Sequence, residues 1–126
     1  MAVIAGVGLS GCAAAAAGMG AGAAIYVTDR GVESVVAAPI DKTYEAARKA
    51  FQEFGITENK TGTEQKDGVE TRSLSGKTSD RDVDISLKSE GPGTKVEIVA
   101  KKSAVTWDKD FAREILNKIV AEAPKQ

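Results

Sequence analysis

The strongest constraint on this chain is the uneven distribution of its charged side chains. The first ionisable side chain is Asp29, so none of the 17 Lys and Arg or 18 Asp and Glu residues lies in residues 1–28. That first segment consists mainly of Ala and Gly, whereas the rest alternates charged and apolar residues in the manner of a domain that buries one face. We therefore predict two physically different segments that meet near residues 28–31.

The residues that are missing exclude several kinds of site. The chain has no His and a single Cys, which excludes a Ser-His-Asp or Cys-His catalytic pair, His-ligated zinc or haem, and an internal disulfide. Its formal charge of −1 also lacks the basic excess that is typical of nucleic-acid-binding domains. We therefore predict no enzymatic activity, no metal, no cofactor and no nucleic-acid partner.

Three glycines near the start permit one alternative. Gly6, Gly8 and Gly11 form a GxGxxG pattern, and Asp29 follows where a dinucleotide-binding fold places the acidic residue that binds ribose. Such a fold needs further βαβ units with buried, continuous apolar strands, whereas residues 56–102 indicate short alternating strands. A nucleotide-binding oxidoreductase fragment is therefore the alternative interpretation of the chain.

The single cysteine supports a different interpretation of the same segment. Leu9-Ser10-Gly11-Cys12 resembles the lipobox of bacterial lipoprotein signals, in which a branched apolar residue and two small residues precede the cysteine. The resemblance implies that a peptidase cleaves between Gly11 and Cys12 and that Cys12 is lipidated. Because residues 1–11 lack the basic n-region of a secretory signal, we expect the native start to lie upstream of Met1.

The Gly/Ala tract after the cysteine suits a tether. Such a low-complexity segment buries too little apolar surface to order itself alone, and it is too weakly hydrophobic for a membrane-spanning helix. We predict a signal over residues 1–11, a lipidated tether over 12–30, a folded domain over 31–122 and a tail over 123–126.

Two helices are predicted from apolar residues at intervals of three and four. The first begins with Asp41 as its N-cap and ends before Gly55. The second begins with Thr106 as its N-cap, has Trp107 as the first residue of its buried stripe, and is ended by Pro124.

Between the helices the apolar period changes to two. Turn signals at residues 66–68 and 90–93 divide residues 56–102 into the strands of a meander. We therefore predict an α+β domain with two amphipathic helices packed on one face of an antiparallel sheet of about four to five strands. The other face of the sheet is expected to be solvated and charged.

That solvated face is the candidate interaction surface. The charged residues that alternate with apolar ones on two neighbouring strands are Asp82, Asp84, Lys88, Lys95, Glu97 and Lys101. A surface of mixed charge suits transient protein contact better than it suits burial of a small molecule. We expect a monomeric domain, whose partners are the membrane, through acylated Cys12, and another envelope protein, through this face.

Taken together, these elements resemble a family of small Gram-negative lipoproteins of unknown function. The resemblance rests on the lipobox, the Gly/Ala tract, Ile25-Tyr26-Val27, the Asp41–Ala47 helix start, the Asp-x-x-Val-x-Ile pattern from Asp80, and Ile-Leu-Asn-Lys-Ile from Ile115. It implies location only, because that family has no catalytic motif. The implied location is the periplasm, anchored to the outer membrane since Ala13 rather than an aspartate follows Cys12, with the inner membrane as the alternative.

Overall fold

In the part of the chain that the structure describes, seven antiparallel strands form one sheet, against which two helices pack. The structure, a computed structural model, describes residues 24–103 and 106–125. The strands are β1 (Tyr26–Val27), β2 (Gly31–Val36), β3 (Thr57–Lys66), β4 (Val69–Lys77), β5 (Asp82–Glu90), β6 (Gly93–Ser103) and β7 (Thr106–Trp107). The helices are α1 (Ile40–Glu53) and α2 (Lys109–Glu122), followed by a short 3-10 helix at Ala123–Lys125.

The sheet runs in the order β1-β2-β6-β5-β4-β3, and β7 also pairs with β6. Strand β2 pairs with β6 as far as Val99, and β7 continues along the same edge from Lys101. The prediction of two helices on about four to five strands is wrong, because seven strands dominate the described part of the chain. The two additional strands, β1 and β7, are two residues long each, too short to show an alternating pattern.

Strand β1 brings part of the predicted tether into the sheet. Tyr26 pairs with Glu33 in the antiparallel register, and the Ser34 hydroxyl donates a 2.6 Å hydrogen bond to the Ala24 carbonyl. A tight turn closes this hairpin, in which the Thr28 N–H donates to the Gly31 carbonyl. The sheet therefore begins before residue 31.

Turn chemistry fixes the two long hairpins. Asp67 and Gly68 both have positive φ, 54° and 79°, as a two-residue type I′ turn requires between β3 and β4. Gly91 has φ 58° at the first position of the turn between β5 and β6, where Pro92 follows it. These turns set the registers in which β3 pairs with β4 and β5 pairs with β6.

Both helices have N-cap residues other than the predicted ones. Helix α1 has Pro39 as its N-cap, and Asp41 lies in its first turn instead of capping it. Helix α2 has Asp108 as its N-cap, whose carboxylate accepts a 3.0 Å hydrogen bond from the Phe111 N–H. Thr106, the predicted N-cap, belongs to β7 instead, because pairing with β6 keeps the chain extended as far as Trp107.

The core lies between the two helices and one face of the sheet. Alternate residues of β2, β5 and β6 point into it, and α1 adds Phe51, which is 2% exposed. The rings of Phe54 and Phe111 join the C-terminal end of α1 to the start of α2, edge to face with centroids 5.8 Å apart. The opposite sheet face has no helix over it in the described residues, and we call it the open face.

Candidate interaction surface

The register of β5 and β6 brings the six predicted charged residues onto the open face. Asp82 lies opposite Lys101, and Lys88 lies opposite Lys95, while Glu97 lies opposite Ser86. The apolar residues that alternate with them are buried on the helix side, whereas Val99 shares the open face and is partly buried. Four of these side chains are exposed, Asp82, Asp84, Lys88 and Glu97, and two are partly buried, Lys95 and Lys101. They form one continuous surface across two central strands.

Two of these charges form weak ion pairs within the described residues. Lys95 Nζ lies 3.6 Å from Glu33 Oε2, and Lys77 Nζ lies 3.8 Å from Asp82 Oδ1. Ion pairs this exposed contribute roughly 0–1 kcal/mol each to stability. An incoming partner can therefore replace them at small cost.

One position on the open face favours an acidic partner group. Lys88 lies directly opposite Lys95, and like charges at opposed positions of neighbouring strands repel each other. Lys88 is exposed and forms no salt bridge within the described residues. A carboxylate from another protein would relieve this repulsion.

An aromatic residue that sequence reasoning placed elsewhere lies on the same face. Trp107 pairs with Lys101 in β7, so it is not the first residue of the α2 stripe as predicted. The Arg30 guanidinium lies 5.7 Å and the Lys101 ammonium 5.5 Å from the Trp107 ring centroid. The sequence does carry one signal for this strand. Thr106 and Trp107 are residue types that favour strands, and they directly precede Asp108, which caps α2.

Trp107 lines a shallow depression of about 240 Å³. Its lining residues are Arg30, Asp84, Ser86, Glu97, Val99, Lys101 and Trp107. Two cations beside an aromatic ring, with two carboxylates close by, can hold an extended polar segment of a partner through several charge-assisted contacts. Exposed apolar area is also available on this face, at Tyr26 (64% exposed) and Val35 (49% exposed).

A second charged cluster joins the loop after β4 to the start of α2. Arg81 Nε donates to Asp108 Oδ2 at 2.6 Å, its Nη1 lies 2.7 Å from Asp80 Oδ2, and the guanidinium stacks 5.6 Å from the Phe111 ring centroid. Burial acts to raise the pKa of Asp108, but hydrogen bonds from Arg81 and the Phe111 N–H outweigh it and lower the pKa. The hydrogen bond to Asp108 raises the pKa of Arg81. Because Arg81 already pairs with the carboxylates of Asp80 and Asp108, the cluster holds the start of α2 against the sheet.

A third cluster holds β4 against α1. Arg72 hydrogen-bonds both Glu70 and Asp41, and its guanidinium lies 5.2 Å from the Tyr44 ring centroid. The hydrogen bond to Glu70 is the main reason that the pKa of Arg72 is raised. This cluster also uses its charges within the domain, so the open face is the better candidate for binding.

A family profile described as "Protein of unknown function (DUF3568)" matches residues 1–122. The chain belongs to the DUF3568 family. The expectation of a family of unknown function is therefore confirmed, and its lipoprotein character and Gram-negative origin stay predictions. None of the curated proteins that were compared with this DUF3568 chain matches it.

The motifs of the first segment of this DUF3568 protein lie outside the described residues. They are Leu9, Ser10, Gly11 and Cys12 of the lipobox, and Gly6 and Gly8 of the glycine pattern. The alternative of a nucleotide-binding fold loses support, because every strand pair in the described residues is antiparallel and a dinucleotide fold needs parallel βαβ units.

Two features are absent from the described residues of this DUF3568 domain. Within residues 24–103 and 106–125, no three His, Cys, Asp or Glu side chains are grouped so that they could hold a metal ion. Neither α1 nor α2 has the length and apolar character that crossing a membrane requires.

Proposed function

We propose that this DUF3568 protein is a lipid-anchored periplasmic lipoprotein that acts as a non-enzymatic accessory module. Its open face contacts another envelope protein. The observation that carries the anchor is Leu9-Ser10-Gly11-Cys12: the only cysteine of 126 residues stands where a lipobox requires one, after an uncharged segment. The family match spans both this segment and the folded domain, which supports treating the two as one functional unit.

The shortness of the proposed tether supports the binding role. The described residues begin at Ala24, about a dozen positions after Cys12. A tether of that length, if it behaves as the flexible chain that its composition predicts, would reach only roughly 20 Å, at about 5–6 Å times the square root of the residue number. Contacts too weak to matter in solution then act at high effective concentration beside the membrane. A shallow surface of mixed charge is sufficient for such a module.

The membrane is proposed from the residue after the cysteine. Ala13 stands where an aspartate would be the usual signal for retention in the inner membrane, so the outer membrane is the favoured location. Separation of the two membranes on a density gradient tests this assignment. Recovery of the protein with the inner membrane would contradict it.

The anchor is tested by Cys12→Ser, with Ala16→Ser as the matched control. We expect the unsubstituted chain and the control to incorporate labelled fatty acid and to sediment with membranes, whereas Cys12→Ser loses both properties. The control adds the same hydroxyl outside the lipobox, so it separates loss of the thiol from a change in polarity. An unsubstituted chain that stays unlabelled and soluble would contradict the lipoprotein proposal.

The binding face is tested by photo-crosslinking in cells. A photoreactive residue at position 84, 88 or 97 is expected to give adducts with an envelope protein, because these positions share the open face. Positions 49 and 113, exposed on α1 and α2, serve as controls. Adducts confined to the helix positions, or none at 84, 88 and 97 despite normal expression, would contradict the role of this face.

A further inference from the structure

Strand β3 is a long edge without a partner on its outer side. It pairs with β4 on one side, and no strand pairs with its other side in the described residues. All ten residues of Thr57–Lys66 are exposed. An edge of this kind presents a row of free N–H and C=O groups that can pair with another strand. The opposite edge of the sheet, β1, is only two residues long.

Two opposite charges on β3 have no partner within the domain. Lys60 lies opposite Ser75 and Glu64 lies opposite Thr71, so both point to the open face. Neither forms a salt bridge within the described residues. Four positions along a strand correspond to roughly 13 Å, so the two cannot pair with each other.

The sequence of β3 is complementary to itself when two copies run antiparallel. If a two-fold axis passes beside Gly62, Lys60 of one copy lies opposite Glu64 of the second copy, and the symmetry repeats this pair. Thr61 then lies opposite Thr63 of the second copy, a cross-strand pair that can hydrogen-bond. At the axis the two Gly62 residues meet, and no side chain separates the strands.

Neighbouring registers lack this complementarity. A shift of two residues in one direction sets Lys60 opposite Lys66 of the second copy, which is repulsive. The same shift in the other direction leaves Lys60 opposite Gly62, without a carboxylate. Because neither face of β3 is buried, apolar residues do not set the register of an added strand, and the charges decide it.

We propose that β3 pairs with β3 of a second copy of this chain, antiparallel about a two-fold axis at Gly62, so that one sheet continues across the dimer. The interface is isologous, as in most dimers of identical chains. Charged residues on a strand edge usually prevent such pairing. Here they prevent the other registers and favour this one. The proposal is independent of the lipid anchor, and it contradicts the monomer expected from the sequence.

Charge reversal tests this dimer. In the full chain with Cys12→Ser, which removes association through a lipid or a disulfide, Lys60→Glu or Glu64→Lys converts both inter-copy salt bridges into like-charge pairs. We expect each single variant to weaken dimerisation at least about tenfold in sedimentation equilibrium at low salt. The double variant Lys60→Glu/Glu64→Lys restores opposite charges, so its dimerisation constant is expected to return to within a few-fold of the original.

Mixing the two single variants gives a second, independent readout. Each repels itself, but the two are complementary to each other, so an equimolar mixture is expected to form heterodimers where each variant alone is monomeric. Lys49→Glu, the same charge change on the exposed side of α1, serves as the control and leaves the dimer unchanged. A monomeric unsubstituted protein, or dimers that both single reversals leave intact, would overturn the proposal.

Discussion

Two parts of the sheet are stabilised in different ways. We call β2, β5 and β6 the covered half, and β3 with its pairing to β4 the β3 half. In β2, β5 and β6, apolar side chains alternate with polar ones and are buried beneath α1 and α2. Strand β3, in contrast, is exposed along its whole length and has no residue in the core. It is held by pairing with β4, by the turn at Asp67-Gly68 and by the exposed ion pair of Glu58 with Arg48 of α1. Burial therefore specifies one half of the sheet, and turn chemistry with backbone hydrogen bonds specifies the other.

The largest expected effect comes from removing volume in the covered half. Phe51→Ala is expected to lower the free energy of unfolding by about 3–5 kcal/mol, because Phe51 is 2% exposed and its truncation leaves a cavity in the core. Thr61→Ala, on exposed β3, is expected to change it by less than about 1 kcal/mol. Urea denaturation of both variants, at a concentration where the protein is monomeric, measures the difference. Similar losses would show that β3 also depends on packing.

The same substitution at two glycines sharpens the comparison. A Cβ at Gly31 would lie 1.9 Å from the Ile98 carbonyl oxygen, so Gly31→Ala forces β2 away from β6 and is expected to cost about 1–3 kcal/mol or more. A Cβ at Gly62 would meet only the movable Ser73 hydroxyl, at 2.9 Å. Thermal denaturation at a concentration where the protein is monomeric is expected to show a large fall in Tm for Gly31→Ala and little change for Gly62→Ala. An equal fall for both would count against the close approach at Gly31.

A turn substitution is expected to affect the β3 half alone. Gly68 has φ 79°, which a residue with a side chain adopts only with strain, so Gly68→Ala is expected to cost about 1–2 kcal/mol. Because the turn sets the β3–β4 register, amide hydrogens of β3 should exchange faster while those of β6 keep their protection. Hydrogen exchange resolved by strand tests this. Uniformly faster exchange in both strands would mean that the two halves unfold together.

The smallest expected effect concerns pH and the Arg81 cluster. The pKa of Asp108 is lowered in the folded state, so its ion pair stabilises the fold at neutral pH. That stability is expected to decline as the pH falls from the ordinary Asp pKa, about 3.9, through the lower folded value. Asp108→Asn keeps an N-cap side chain but loses the charge. At neutral pH its free energy of unfolding is expected to be about 1 kcal/mol below that of the unsubstituted protein, and this difference should vanish in acid. A deficit that persists below that range would assign the effect to capping.

The alternation of β5 and β6 explains why the open face could be predicted from sequence. A period of two sets which side chains share a face wherever the strands lie, so the placement of Asp82 and Lys101 needed no knowledge of the rest of the fold. Strands β1 and β7 depend instead on pairing with β2 and β6, which a two-residue segment does not reveal. For the same reason Trp107 was assigned to a helix by its spacing from Phe111, although pairing with β6 holds it in a strand.

The hairpin of β1 and β2 has a mechanical consequence. Pulling on the chain upstream of Ala24 loads the Ser34–Ala24 hydrogen bond first, then the two residue pairs of β1, one after another. Bonds loaded in sequence yield at low force, whereas the buried side chains of β2 resist its removal from the core. Release of residues 24–30 would lengthen the connection by at most roughly 25 Å, at about 3.3–3.6 Å per residue, while the buried residues of β2 stay in place. Strand β1 thus serves as a reserve of length between the domain and whatever holds its N-terminal side.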